Sequence, residues 1–178
     1  MSKLDRLIEE LCLDGVKYTE IGNSCIIKTG SGINKSYISQ NPGKYPVINS
    51  GQAPLGYINK YNVEDDEIGI ASRGAGVGYV SWTEGRYFRG NLNYSVTIKD
   101  KKILNNRFLY HYLQDNKHRI DGLATFQGIP ALNASNFAKL LIPLPPLPVQ
   151  EEIVRILDNF TELTAELTAE LTARRKQY

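Results

Sequence analysis

The sequence predicts an α+β fold: an irregular β-rich body with packed helices, followed by one long helix of the coiled-coil type. Between Val16 and about Ile98, short β-branched and aromatic runs alternate with glycine and asparagine, as in domains of many short strands. After Pro148 the chain has no glycine or proline, and its leucines recur at helical spacing. A length of 178 residues suits one cored body and an appendage.

The β-rich body is predicted to begin after a short amphipathic helix over residues 2–13. Ser2 and Asp5 have the spacing of a capping box, and Asp14-Gly15 ends the helix. Six short runs then have strand character. They are Cys25–Ile27, Tyr45–Ile48, Leu55–Ile58, Glu67–Ala71, Gly78–Trp82 and Tyr94–Ile98.

Two further helices are predicted towards the carboxyl end. The first runs from Asn105 or Asn106 to about Ile120 and ends at Asp121-Gly122. A segment with four prolines, Leu140–Val149, must then be extended, because proline removes the donors that a helix interior needs. The last helix runs from near Pro148 towards Lys176. We therefore divide the chain into a body, 1–147, and a projecting helix, 148–178.

Composition and charge narrow the functional classes. The chain is 42% hydrophobic and 22% charged, and no run of apolar residues is long enough to span a membrane, so we expect a cytoplasmic protein. Residues 15–149 carry 15 basic against 9 acidic residues, whereas both flanking segments are acidic. Cys12 and Cys25 have no zinc-site spacing, His111 and His118 lie two helical turns apart, and neither a metal nor a cofactor is expected.

A four-residue repeat, Thr-Ala-Glu-Leu, dominates the last helix from Thr164 onwards. Four residues exceed one helical turn only slightly, so the leucines form a slowly drifting stripe that needs a partner surface. The repeat fits either a helix that is solvated or folded back on its own body, or a spacer in which each repeat adds about 6 Å. The stripe comprises Ile153, Ile156, Leu157, Phe160, Leu163, Leu167 and Leu171.

The glycine-rich motifs do not indicate catalysis. The loop Gly74–Gly78 lacks the spacing of a dinucleotide fingerprint and leads into a predicted strand, so a tight β-turn is expected. Thr29–Gly32 lacks the ending of a phosphate-binding loop. The acidic run Glu64–Glu67 fits a solvated turn better than a metal site.

Several motifs in a fixed order resemble the specificity subunits of type I restriction-modification enzymes. They are the amino-terminal segment Leu4–Val16, Lys44–Gly51 with the following Gly56-Tyr57, and the loop Gly74–Gly78. The most specific is Ile142–Val154, which reads Ile-Pro-Leu-Pro-Pro-Leu-Pro-Val-Gln-Glu-Glu-Ile-Val and is followed by the repeat.

This resemblance implies a non-catalytic subunit with a target-recognition domain that reads part of a bipartite site in double-stranded DNA. It implies docking to modification subunits, which use S-adenosylmethionine, and through them to restriction subunits, which use ATP. Members of the family usually carry two recognition domains and two such helices, whereas this chain has one of each. The chain is then a fragment, a split gene product, or a half-subunit that dimerises about a two-fold axis, in which case its two half-sites would be identical and inverted. We expect a homodimer or pairing with a second specificity half.

Three loops are rich in the side chains that read base edges. The first contributes Lys28, Ser31, Asn34, Lys35, Ser36 and Tyr37; the second Arg73, Arg86, Arg89, Asn91 and Asn93; the third Thr125, Gln127 and Asn133. The competing hypotheses are an adaptor that binds no DNA and oligomerises through its helix, and a free-standing enzyme.

Overall fold

The computed structural model describes residues 1–175 and has the predicted α+β fold. Seven helices and eleven strands are described. In chain order they are α1 (Lys3–Leu11), β1 (Lys17–Glu20), α2 (Ile21–Ser24), β2 (Cys25–Thr29), α3 (Lys35–Gln40), β3 (Pro42–Ile48), β4 (Tyr57–Ile58), β5 (Ile68–Ala71), β6 (Val80–Trp82), β7 (Phe88–Arg89), β8 (Asn93–Ile98), α4 (Asn106–Asp115), α5 (Lys117–Asp121), β9 (Ala124–Thr125), β10 (Ala131–Leu132), α6 (Ala134–Phe137), β11 (Leu141–Leu144) and α7 (Leu147–Arg175).

The main sheet is antiparallel and has the strand order β2-β8-β5-β6. Its register aligns Thr29 with Tyr94, and Asn93 with Ala71. As a result, the carboxyl ends of β2 and β5 and the amino ends of β8 and β6 lie at one end of the sheet. We call this the loop end, and the opposite end the far end.

The hydrophobic core lies between the main sheet and the helices α4 and α5. β5 is buried at all four positions, which explains why its sequence is a continuous apolar run. Leu109, Leu113 and Ile120 are fully buried against the sheet. A smaller cluster of Val47, Ile58 and Phe88 lies in a second sheet, of order β4-β3-β7.

The proline-rich segment is an edge strand. β11 pairs antiparallel with β1, and Pro143 lies opposite Tyr18. Residues 141–144 are extended as predicted and belong to the body, but the prediction fails for Leu147–Val149, which form the first turn of α7. Pro148 is tolerated there because the first turn of a helix needs no backbone donor. The fully buried Gln150, in the first turns of α7, connects this helix to the body. Its side chain accepts a hydrogen bond from the Asn105 amide at 2.8 Å and donates to the Ile103 and Pro145 carbonyls.

Beyond its first three turns, α7 projects away from the body. Every residue from Asn159 to Arg175 is exposed. The repeat threonines donate their hydroxyl hydrogen bonds to the carbonyl four residues earlier, as Thr164 does to Phe160 at 2.7 Å. The helix thus satisfies its own polar groups, and only the apolar side chains lack a partner surface.

Two local predictions need correction, and a third cannot be compared. The helix expected over 106–120 is divided at Asn116, whose backbone leaves helical geometry and whose side chain donates to the Tyr112 carbonyl at 2.9 Å. The segment Lys28–Ser39 is not all loop, because Asn34 caps the helix α3. Lys176, where the last helix was expected to end, lies outside the described residues. None of the described helices has the length and hydropathy that a membrane span requires.

Candidate nucleic-acid interface

The loop end of the main sheet brings parts of all three predicted loops together. The first loop follows β2, Arg73 follows β5, and Asn91 precedes β8. The Ser31 amide donates to the Arg89 carbonyl at 2.9 Å, and the Ser72 amide donates to the Leu92 carbonyl at 2.9 Å. The first bond joins the first loop to the second, and the other brings the two ends of the second loop together.

The third loop is held against the second. Residues 124–132 form a hairpin, β9–β10, whose Leu132 amide donates to the Ser72 carbonyl at 2.9 Å. The Gly74 amide donates to the Pro130 carbonyl at 2.9 Å, so Arg73 lies directly beside the hairpin. Thr125, Gln127 and Asn133 are exposed along it.

A cavity of about 450 Å³ opens between the first and second loops. Asn34, Tyr37 and Asn91 line it, together with Gly32, Ile33, Phe88 and Lys60. The Lys60 ammonium lies over the Tyr37 ring, 4.4 Å from its centroid. This arrangement combines a cation, two amides and an aromatic ring, which suits a phosphate and an adjacent base.

A second cavity, of about 300 Å³, continues the first loop towards β8. Lys28, Ser31 and Asn62 line it, together with the acidic residue Asp66. Lys35 and Ser36 are exposed in the first turn of α3. The exposed members of the first loop therefore follow one another along the loop end.

Charge is distributed unevenly along the sheet. Residues 21–63 contain four lysines and no carboxylate, and residues 68–83 contain Arg73 and no carboxylate. The acidic run Glu64–Glu67 instead precedes β5 and so lies at the far end. This arrangement presents positive charge at the loop end. The acidic run reaches the second cavity through Asp66, whose carboxylate lies 3.6 Å from the buried Arg89 guanidinium.

Two predicted base-reading residues, Arg89 and Asn93, must be withdrawn because they are buried. Arg89 is 3% and Asn93 is 1% exposed. The Arg89 guanidinium donates to the carbonyls of Asp66 and Tyr94 at 2.8 and 2.9 Å and to the Asn93 side-chain oxygen, and it also contacts the Tyr87 hydroxyl. These side chains hold the loops from inside the body and are not free to reach a base.

Arg86 is separated from the other candidates. It follows β6 at the far end, where its guanidinium lies 3.5 Å from the Glu64 carboxylate and stacks over the Tyr61 ring. The structure therefore does not bring Arg86 together with Arg73 at the loop end. The second loop enters the interface only at its two ends, through Arg73 and Asn91.

Sequence reasoning missed Lys60 and Asn49. Asn49 accepts a hydrogen bond from the Leu92 amide at 2.8 Å, and its carbonyl accepts one from the Asn93 side chain. The available signal for Asn49 was the motif Lys44–Gly51, which contains it, and that for Lys60 was the absence of acidic residues from 21 to 63. Neither signal identifies an individual contact before the fold is known.

The projecting helix provides a second surface. Phe160, Leu163, Leu167 and Leu171 are between 55% and 65% exposed. Ile153, by contrast, packs against the core of its own body, and Ile156 and Leu157 are partly covered. The prediction that Ile153 faces a partner helix is therefore corrected: the free stripe begins at Leu157.

The histidines and cysteines have structural surroundings. His111 Nε2 lies 2.8 Å from Asp158 Oδ1 and so ties α4 to α7, while His118 is exposed. Both cysteines are free thiols, and burial raises the pKa of the Cys25 thiol to about 12. Within the described part of the chain, no cluster of His, Cys, Asp and Glu has the arrangement of a metal site.

Comparison with known proteins places the chain among restriction-modification proteins. Residues 14–174 match the family described as the type I restriction modification DNA specificity domain. A type I specificity subunit from Mycoplasma pneumoniae is 32% identical over 166 residues, which are 92% of this chain and 45% of that protein. One from Haemophilus influenzae is 41% identical over 113 residues, 62% of this chain and 28% of that protein.

A solved structure has the same fold. The crystal structure of the type I restriction-modification S subunit from Mycoplasma genitalium superposes with a TM-score of 0.79 and 26% identity. The match covers 91% of this chain and 43% of that one. The chain therefore spans less than half the length of these relatives.

Proposed function

Because this chain belongs to the family of type I restriction modification DNA specificity domains, we propose that it is a non-catalytic DNA-reading subunit that recognises one half of a bipartite target. The observation that carries this proposal is the loop end of the main sheet. There, exposed Lys28, Asn34, Arg73 and Asn91 converge with Lys60 on a surface whose segments lack carboxylates. Such a surface can contact phosphates and base edges together.

The proposed readers are the exposed members of the three loops, together with the half-buried Tyr37 and with Lys60. Phosphate contacts are assigned to the lysines, and base contacts to arginine and amide side chains, whose donors and acceptors match guanine and adenine edges. Arg89 and Asn93 support the loops from inside. The proposed set is Lys28, Ser31, Asn34, Lys35, Ser36, Tyr37, Lys60, Arg73, Asn91, Thr125, Gln127 and Asn133.

The partners are inferred from the family. The chain docks modification subunits, which bring S-adenosylmethionine, and through them restriction subunits, which bring ATP. In this division of labour residues 1–147 read the DNA and residues 148–178 set a distance. The chain itself performs no chemical step.

The projecting helix pairs antiparallel with the same helix of a second copy or of another specificity half. This proposal rests on the exposed stripe from Leu157 to Leu171, which has no cover within residues 1–175. The stripe begins beside a groove of about 610 Å³ between α4 and α7, lined by Phe108, Tyr112 and Leu157. A second helix laid along the stripe would reach this groove and bury both.

A salt titration of duplex binding tests the DNA-reading function. The full chain, assembled with its modification subunit, should shift a labelled duplex that contains its target, and the affinity should fall steeply with added salt because phosphate contacts release counterions. Binding that is absent at low salt, or that ignores salt, would instead favour the adaptor hypothesis. Methyl transfer from S-adenosylmethionine by the chain alone would contradict the non-catalytic assignment.

A further inference from the structure

The tip of the hairpin β9–β10 exposes two large apolar side chains at the loop end. Phe126 is 60% and Ile129 is 74% exposed. Between them, Gln127 and Gly128 form the turn, and Gly128 has a φ of +86°, a conformation that side-chain-bearing residues rarely adopt. The turn therefore holds Phe126 and Ile129 on either side of a short tip.

The base of the hairpin is rigidly fastened while the tip is free. The Tyr94 hydroxyl donates to the Leu132 carbonyl at 2.9 Å, and the Thr125 hydroxyl donates to the Ala131 carbonyl at 3.2 Å. Together with the Gly74–Pro130 bond, these contacts fix the hairpin up to residue 130. Residues 126–129 lie beyond the last of them and can project by about 7 Å, as two extended residues do.

The charge around the tip suits a polyanion. Residues 122–150 contain one lysine and no carboxylate, and the neighbouring cation is Arg73. Two side chains are also too few for an independent protein interface, which buries about 800 Å² on each partner. DNA-bending proteins insert large apolar side chains between base pairs. Phe126 and Ile129 resemble such side chains, because they are large, lie on a supported tip and have a neighbouring cation.

We propose that Phe126 and Ile129 form a wedge that inserts at a base step of the target and unstacks it, while Arg73 contacts the adjoining backbone or base edge. The proposal rests on the DNA-reading function above and adds a mode of recognition to it. Pyrimidine–purine steps unstack most readily. The wedge therefore selects such a step because the DNA deforms easily there, and it needs no hydrogen bond to the bases of that step.

The unstacking can be measured with 2-aminopurine, whose fluorescence rises when its base leaves the stack. Duplexes carrying the mapped target, with 2-aminopurine at successive positions, are titrated with the wild-type chain and its modification subunit. We expect a rise at one step, and its loss in the double variant Phe126→Ala/Ile129→Ala. The variant should bind the target about 10-fold more weakly, as when a stacking side chain is truncated, with an unchanged salt slope.

Ile103→Ala is the matched control, because Ile103 is 53% exposed but follows β8 at the far end. It should leave both readouts unchanged, and all variants should keep the wild-type unfolding midpoint. Binding without any rise in fluorescence, or a rise that persists in the double variant, overturns the wedge and leaves the proposed function standing. The wedge is also overturned if the double variant no longer binds the modification subunit while the chain still binds the duplex, because the tip would then contact protein. Absence of duplex binding by the wild-type assembly overturns both proposals.

Discussion

The Arg89 guanidinium donates a hydrogen bond to the side-chain oxygen of Asn93 at 2.7 Å inside the body. The Asn93 side chain in turn donates to the Asn49 carbonyl at 3.0 Å. One buried cation is thereby linked through Asn93 to the turn after β3. Exposed loops that must present side chains to a groove in a fixed geometry need this kind of internal support.

Replacement of Arg89 by alanine should destabilise the fold. The variant removes the guanidinium donor from the carbonyls of Ile68 and Tyr94, while the Asp66 carbonyl keeps the Tyr87 hydroxyl as a donor. A buried polar group left unpaired costs about 1–3 kcal/mol. We expect the free energy of unfolding in urea to fall by about 3 kcal/mol or more.

Arg86→Ala is the matched control for Arg89→Ala. Its guanidinium is exposed at the far end, so the free energy of unfolding should change by no more than about 0.5 kcal/mol, and duplex affinity should also hold. An Arg89→Ala variant that is as stable as wild type but has lost DNA binding would restore Arg89 to the set of base readers.

The Arg89 case shows what the sequence could and could not predict. Periodicity and proline placement predicted the long helix, the strands and the fold class, because these depend on local patterns. The sequence around an arginine in a polar loop does not indicate whether its side chain is exposed or makes buried hydrogen bonds. For Arg89 the pairing of β7 with β3 determines its burial. Lys60 was missed for the same reason: its partner Tyr37 is distant in sequence and near only in the fold.

Lys60→Gln should weaken DNA binding equally for target and unrelated duplexes. A lysine that contacts a phosphate contributes about one released counterion, so the slope of log affinity against log salt should fall by about 0.9. The measurement is fluorescence anisotropy over a salt series.

Lys101→Gln provides the comparison for Lys60→Gln. Lys101 is exposed after the carboxyl end of β8, about 20 Å along that strand from the loop end, and its loss should leave the slope unchanged. Equal effects of the two substitutions would mean that DNA does not approach the loop end.

Glu152 should make the fold sensitive to acid. Hydrogen bonds from Arg155 and Lys3 lower the pKa of this carboxyl from 4.5 to about 2. Between these values the unfolded chain binds more protons than the folded one, so the contribution of Glu152 is complete above about pH 4.5 and is lost as the pH falls towards 2.

The measurement is the unfolding midpoint of wild type and Glu152→Gln over this pH range. The two curves should converge on acidification and separate above pH 4.5. Glu166→Gln is the control, because this carboxylate makes no ion pair among residues 1–175 and lies on the exposed part of α7. A constant difference between wild type and Glu152→Gln at every pH would refute the ion-pair account.

Polar substitution of the leucine stripe should dissociate the assembly. The double variant Leu163→Gln/Leu167→Gln removes two apolar side chains from each helix, and burial of each contributes about 1.5–3 kcal/mol. The dissociation constant of the dimer should rise by about 100-fold or more in sedimentation equilibrium. Ala165→Gln/Ala169→Gln, about 200° around the same helix, should have no such effect. If both double variants stay dimeric, the stripe is not the interface.

Of the two pairings proposed above, we expect that of two identical copies, which would act together on DNA. Long-read sequencing that detects methylated adenine, in a host expressing this chain with its modification subunit, tests it most directly. We expect one bipartite motif whose two halves are identical and inverted, separated by a fixed spacer. A methylated motif with two unrelated halves, or with a single continuous site, would contradict it.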